Sequence, residues 1–239
     1  MGSIEWDGFV LGDGTTAANY VTAWSPASST FVDAFRSPSQ PSAGILSAIG
    51  AMALFAGKVY VGGDFIFTGD GTVSAKRIAA WDGSAWSVPT GGGIYGLGGT
   101  VLALAVFNSK LYVGGNFPTL GNGSSAKYIA AWDESAWSTL PVGGNNNGVG
   151  AQVSALAVFR SKLYIGGGFT ALGDSSSAKY IVAWNGSTWS TISSGSSNGM
   201  SGDVYALAAN GSSSLYMGGL FASLGNNIAP AGYFAAITI

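Results

Sequence analysis

Histidine and cysteine are both missing from the 239 residues. Their absence excludes a disulfide framework, a thiol nucleophile and a zinc site built on thiolate or imidazole ligands. Imidazole-held copper is excluded as well. The string Gly195-Ser196-Ser197-Asn198-Gly199 matches the spacing of a serine nucleophile turn, but the chain has no histidine to act as its base. Charge is scarce: 8% of residues carry one, against about 25% in ordinary soluble domains. That leaves too little Glu, Lys and Arg to wet the outer faces of long amphipathic helices. The nine Lys and Arg are dispersed and the net charge is −2, so the clustered basic footprint of a nucleic-acid binder is missing. Long apolar runs are missing too. The longest uncharged apolar stretch, Ala43 to Gly57, has about fifteen residues, short of the roughly 20 that cross a bilayer. No basic segment followed by an apolar run opens the chain, so no signal peptide is expected.

What the chain has in abundance is glycine, 39 residues, and a hydrophobic fraction of 47%. Many short strands joined by tight turns satisfy both. The arrangement is repetitive. Val59-Tyr60-Val61-Gly62-Gly63 recurs as Leu111-Tyr112-Val113-Gly114-Gly115, Leu163-Tyr164-Ile165-Gly166-Gly167 and Leu215-Tyr216-Met217-Gly218-Gly219, each 52 residues after the last. A second element follows: Arg77-Ile78-Ala79-Ala80-Trp81, Tyr128 to Trp132 and Tyr180 to Trp184, with an earlier copy at Tyr20 to Trp24 and a degenerate one at Tyr233 to Ile237. Ile4 to Phe9 is a worn copy of the first element.

Each unit reads as four strands. Strand A is an apolar run such as Val153 to Phe159, strand B carries Tyr-x-Gly-Gly, strand C carries Ile-Ala-Ala-Trp, and strand D opens with Trp86, Trp137 or Trp189. The A–B and C–D connections are two to four turn residues, which is hairpin chemistry. Four antiparallel strands per repeat of about 50 residues predict an all-β propeller. The alignment places units at about 1–35, 45–88, 100–140, 152–192 and 203–239 of a single domain. It predicts five blades, the first lacking strand A and the last lacking strand D, closed at the seam as a monomer.

The string Val153 to Phe159, then Leu163-Tyr-Ile-Gly-Gly, then Trp184-Asn-Gly-Ser-Thr-Trp189 resembles a kelch-type repeat. The core Trp-Asp-Gly-x-x-Trp-Ser is similar to repeats of bacteria and fungi, including the cell-polarity marker family of fungal surface proteins. The resemblance spans nearly the whole chain and implies a propeller in an extracellular or cell-surface setting. It says little about ligands, since propellers host many activities.

Structural roles are expected for the repeated glycines Gly62, Gly63, Gly114, Gly115, Gly166, Gly167, Gly218 and Gly219, where neighbouring blades crowd and only Gly accepts positive φ and close approach. The paired rings Trp81/Trp86, Trp132/Trp137 and Trp184/Trp189 are expected to pack blade on blade. The recurrent Lys58, Lys110 and Lys162 of the A–B turn, and Lys76, Lys127 and Lys179 ahead of strand C, read as solvated edge residues.

The long B–C and D–A connections fall on one face, which is the candidate ligand face. One repeat position there, Asp13, Asp70, Asn122, Asp174 and Asn226, forms a candidate ring of binding residues. A second recurrent position, Asp82, Asp133 and Asn185, suits turns. Acids that recur once per blade do not make one asymmetric active site, and Asp-Gly alone is far from a calcium loop. The sequence therefore predicts no catalysis, no cofactor and no metal. It predicts a binding or scaffold propeller that docks a protein or serves as a surface-layer or shell component, with a multivalent lectin as the alternative and a carboxylate glycosidase or lyase third.

Overall fold

The computed structural model describes residues 45, 47–68, 73–143, 146–194, 197–223 and 233–238, with the strand segments Phe9–Val10, Ala17–Ala18, Ala23–Ser25 and Thr30–Val32. Among the described residues the chain is all-β, with no helix. Three four-stranded antiparallel sheets follow one another, each in the order A-B-C-D. Blade I holds Ile49–Phe55, Lys58–Gly63, Ile78–Trp81 and Trp86–Ser87. Blade II holds Thr100–Phe107, Lys110–Asn116, Ile129–Trp132 and Trp137–Thr139. Blade III holds Val153–Phe159, Lys162–Gly167, Ile181–Trp184 and Trp189–Thr191. Blade IV has three strands, Val204–Asn210, Ser214–Gly219 and Phe234–Thr238. Near the N-terminus, Ala23–Ser25 pairs with Thr30–Val32, setting Trp24 opposite Phe31 much as Trp81 stands opposite Trp86.

The four A strands stand side by side, each against the next. Every A–B ladder carries the same irregularity: between Ile49 and Ala51, Val101 and Ala103, Val153 and Ala155, and Val204 and Ala206. A bulge re-aims side chains, so Val153 and Leu156, three apart, both reach Gly114 of the preceding blade. The A–B connection is the two-residue turn Asn108-Ser109 or Arg160-Ser161, with φ of 47° and 56° in the first and 47° and 57° in the second. Two positive φ values are the type I′ turn that matches strand twist.

The core is layered between blades. Phe107, Tyr112, Ile129 and Ala131 on the trailing face of blade II pack against Val153, Leu163, Ile165, Val182 and Trp184 on the leading face of blade III. The I/II and III/IV interfaces repeat this arrangement. Strand A is thus buried or half-buried along the middle blades, as its apolar run predicts, except at the exposed Val106 and Val158. The end blades depart from that expectation: Met52 and Leu54 are exposed in blade I, and most of Val204–Asn210 is exposed in blade IV.

The glycine pair corrects the sequence reading in part. None of the eight repeated glycines has positive φ among the described residues; each is extended. Close approach is the whole reason for them. A Cβ on Gly62, Gly114 or Gly166 would lie 2.3, 2.4 or 2.6 Å from the Cγ1 of Val101, Val153 or Val204 of the next blade. A Cβ on Gly63, Gly115 or Gly167 would lie 2.1 Å from the carbonyl oxygen of Ala48, Thr100 or Gln152, at or just before the start of strand A in its own sheet. The first glycine is therefore a socket for a valine knob, and the second lets strands A and B converge. At Gly218 the nearest atom among the described residues is the Tyr233 carbonyl oxygen, 3.8 Å from where a Cβ would lie.

The tryptophans hold blades together. Trp81/Trp86, Trp132/Trp137 and Trp184/Trp189 are cross-strand neighbours with ring centroids 5.3, 5.3 and 5.1 Å apart. The D-strand indoles reach back to the preceding blade: Trp137 Nε1 donates to the Pro89 carbonyl at 3.1 Å and Trp189 Nε1 to Pro141 at 2.9 Å. Trp184 Nε1 donates to the Tyr112 hydroxyl of blade II at 3.3 Å.

Candidate functional site

The long connections are on one face, and they are not loose. Each D–A segment folds into a small hairpin: Thr90–Gly91 with Ile94–Tyr95, Pro141–Gly143 with Asn146–Asn147, and Ser193–Ser194 with Ser197–Asn198. In the first, Gly92 and Gly93 at φ 61° and 76° make the turn. These hairpins had no counterpart in the sequence reading, although the Gly91-Gly92-Gly93 string was the available signal.

The hairpins tie adjacent blades together. Leu97 N donates to the Lys76 carbonyl of blade I at 3.0 Å, and Gly98 N to the Thr119 carbonyl of blade II at 3.0 Å. One repeat on, Val149 N donates to Lys127 and Gly150 N to Ala171; next, Met200 N donates to Lys179 and Ser201 N to Ser223. Side chains add to the lacing: Asn147 Nδ2 donates to the Ser125 carbonyl at 3.2 Å, and Asn198 Nδ2 to Ser177 at 3.1 Å. Lys127 is not merely a solvated edge residue, because its Nζ donates to the Gly173 carbonyl of the next blade at 2.6 Å.

Of the candidate ring, Asn122 and Asp174 occupy the same place in successive B–C loops. Asn122 Oδ1 accepts from the Ser124 amide at 3.0 Å and hydroxyl at 2.7 Å. Asp174 Oδ1 accepts from the Ser176 amide at 2.9 Å and from the Ser176 hydroxyl. Each caps its own turn. Asp13, Asp70 and Asn226 lie outside the described residues. Between Asn122 and Asp174 runs a cleft of about 470 Å³ at the II/III boundary, lined among others by Thr119, Ser125, Lys127, Tyr128, Leu172 and Ser175. Hydroxyls, one ring and one cation surround it.

The second Asp/Asn position serves turns, as its recurrence predicts. Asp82 Oδ1 accepts from the Ser84 amide and hydroxyl and the Ala85 amide, all at 2.8 Å. Asp133 and Asn185 repeat the motif. Hydrogen bonds to the charged form favour it. The Ala85 and Ser84 bonds hold the Asp82 carboxyl down to about 2, and the Ser135 and Ala136 bonds do the same for Asp133. Asp174 is lowered by its bonds to Ser176.

A second set of clefts lies on the opposite face. At the II/III boundary one of about 400 Å³ is lined by Lys110, Tyr112, Ser138, Pro141, Trp184 and Ser187 among others. Its counterpart at I/II, about 180 Å³, has Lys58, Tyr60, Ser87, Pro89, Trp132 and Glu134. Burial raises the pKa of the Tyr112 hydroxyl, and the bond from Trp184 lowers it. The signal for these clefts was the recurrent Lys-x-Tyr at the start of strand B, whose lysines the sequence reading placed in the A–B turn. Among the described residues no group of three or more acidic side chains is placed to hold a metal ion. No helix of the described residues is long and apolar enough to cross a membrane.

Two solved structures are similar to this chain. The computationally designed protein Ika4 is 17% identical, with 82% of this chain and 94% of that one covered and a TM-score of 0.45. The designed protein Ika8 is 16% identical, with 73% and 69% covered and a TM-score of 0.25. No curated protein matches. The model of the Rax2 C-terminal beta propeller domain matches residues 33–201, more than two thirds of the chain. Its match agrees with the stacked antiparallel blades and with the resemblance to the cell-polarity marker family. The chain belongs to the Rax2 C-terminal beta propeller domain family.

Proposed function

We propose that this chain is a non-catalytic binding module that docks a protein partner on its loop-rich face, in an extracellular or cell-surface setting. The observation that carries the reading is the backbone lacing of the D–A hairpins to the B–C loops of both adjacent blades. A laced rim is pre-organised, so docking on it loses little loop entropy. The acids support the non-catalytic part. A glycosidase general acid needs a carboxyl pKa raised toward neutrality. Asp82, Asp133 and Asp174 are instead lowered, their oxygens held by turn amides and hydroxyls.

A lectin is the second reading, favoured by the hydroxyl-lined cleft beside Tyr128 and its place between repeats. Arrays of recombinant extracellular proteins and of glycans, probed with the same labelled chain, separate the two. Protein docking on the rim predicts hits lost in Ser125→Arg and kept in Ser187→Arg, which lies on the other face. Hits lost only in Ser187→Arg would overturn the placement. A multivalent glycan hit without protein hits would overturn the protein reading.

A further inference from the structure

The two clefts opposite the loop-rich rim occupy the same place at successive blade boundaries, and the turn beside each carries a different residue. Strand B brings a lysine and a tyrosine to both: Lys58 and Tyr60 at I/II, Lys110 and Tyr112 at II/III. Residues two apart on a strand share a face, so ammonium and phenol meet in one cleft. The C–D turn of the following blade supplies the difference. Between Trp132 and Trp137 it carries Glu134; between Trp184 and Trp189 the same place is Gly186. Glu134 lines the I/II cleft. Burial raises the pKa of Tyr60 there, and the Glu134 charge adds to the rise. That cleft has about 180 Å³. The II/III cleft has about 400 Å³, within the range of about 300–1,000 Å³ usual for small-molecule sites.

The larger cleft holds donors in want of an acceptor. Tyr112 is only 4% exposed. Its oxygen accepts from Trp184 Nε1 at 3.3 Å, and its own proton goes to no acceptor among the described residues. Lys110 Nζ reaches Asp133 Oδ2 only at 3.8 Å, while Asp133 Oδ1 is taken by its own turn. Leu140, Pro141 and Trp184 wall the remainder. A cationic donor and a buried phenol beside apolar walls call for an oxyanion on an apolar body. The I/II cleft indicates which oxyanion, because beside the same lysine and tyrosine the chain sets a carboxylate of its own. We infer that the II/III cleft binds a small monocarboxylate with an apolar body, held by Lys110 and Tyr112 where Gly186 leaves room.

Benzoate is the probe, titrated into the full chain by isothermal calorimetry. One equivalent is expected to bind saturably. Benzamide keeps the shape without the charge, and inorganic phosphate keeps charge without the apolar body; each should bind at least about tenfold more weakly. Lys110→Met should weaken benzoate at least about tenfold, and Tyr112→Phe, which keeps the ring, about fivefold. Gly186→Glu carries the I/II arrangement into this cleft and should abolish binding. A Cβ there meets only Asn108 Nδ2, at 2.8 Å, and Glu134 already holds the left-handed conformation, at φ 77°. Lys110 is half-exposed, so Lys110→Met tests the site even where Tyr112→Phe or Gly186→Glu fails to fold. Lys58→Met, at the other cleft, should leave benzoate binding unchanged. No saturation by about 10 mM benzoate, equal binding of benzamide or phosphate, or equal losses in Lys58→Met and Lys110→Met would overturn the proposal. Ser125→Arg, which tests protein docking on the rim, should leave benzoate binding intact; its loss in that variant would count against this cleft.

Discussion

Adding a side chain at Gly115 tests the packing logic of the repeat. A Cβ there lies 2.1 Å from the Thr100 carbonyl oxygen and 3.0 Å from Val101 Cα. Both are backbone atoms, so no rotamer change relieves the clash. Restoring ordinary contact near 3.5 Å means moving strand A off strand B by roughly 1.4 Å. The pairs Thr100↔Asn116 and Val101↔Gly115 would loosen, exposing or orphaning buried amides at about 1–3 kcal/mol each. Val101, fully buried with its Cγ1 seated at Gly62, would be drawn from its socket. Gly115→Val should therefore cost about 3–5 kcal/mol. For a domain of this size that is a fall in Tm of about 6–20 °C. Gly218→Val is the control: it is the first glycine of the same pair in blade IV, and among the described residues the nearest atom to its Cβ is 3.8 Å away. It should shift stability by no more than about 0.5 kcal/mol. Thermal and urea melts of both variants decide the matter. A Gly115→Val midpoint within a degree or two of the parent, or an equal fall in Gly218→Val, would refute the reasoning.

Further outcomes follow from the turns and acids. Ser161, at φ 57°, holds a left-handed turn conformation that favours glycine; Ser161→Gly should raise stability by about 0.5–1 kcal/mol in urea, and an unchanged or lower midpoint would count against the type I′ assignment. Asp82 and Asp133 have carboxyls lowered to about 2 from 3.8, so their stabilising share is complete above about pH 4 and is lost as pH falls through about 2. Asn185 fills the same turn in blade III, so the double variant Asp82→Asn, Asp133→Asn should keep the fold and flatten the Tm-against-pH slope between pH 4 and 2; an unaltered slope would show that other groups set it. Finally, the per-blade acids hold amides and hydroxyls of their own turns, so EDTA should leave the melting curve in place, and a lowered midpoint would point to a bound cation.

Much of the fold was legible in the residues because each repeat states its local demands every 52 positions. An apolar run, a Tyr-x-Gly-Gly strand, an Ile-Ala-Ala-Trp strand and a Trp-led strand are short-range patterns. They determined the strand order and the hairpin turns, and placed the long connections on one face. The recurrence of Asp82, Asp133 and Asn185 likewise announced turn residues before any geometry was known. The candidate site was legible only as a face.

Tertiary structure decided what each repeated residue touches. Gly114 is required by Val153, 39 residues away and in another blade, and no local rule names that partner. The same holds for Lys127 reaching Gly173, and for Trp189 reaching Pro141. The D–A hairpins were illegible because Ser, Asn and Gly in a connection carry no hydrophobic alternation to mark a strand; their order comes from hydrogen bonds to both neighbouring blades. Sequence repeats report how one blade resembles the next. Only the packed arrangement decides which blade has a neighbour, because a knob and its socket lie on different repeats and meet through the stacking of the sheets.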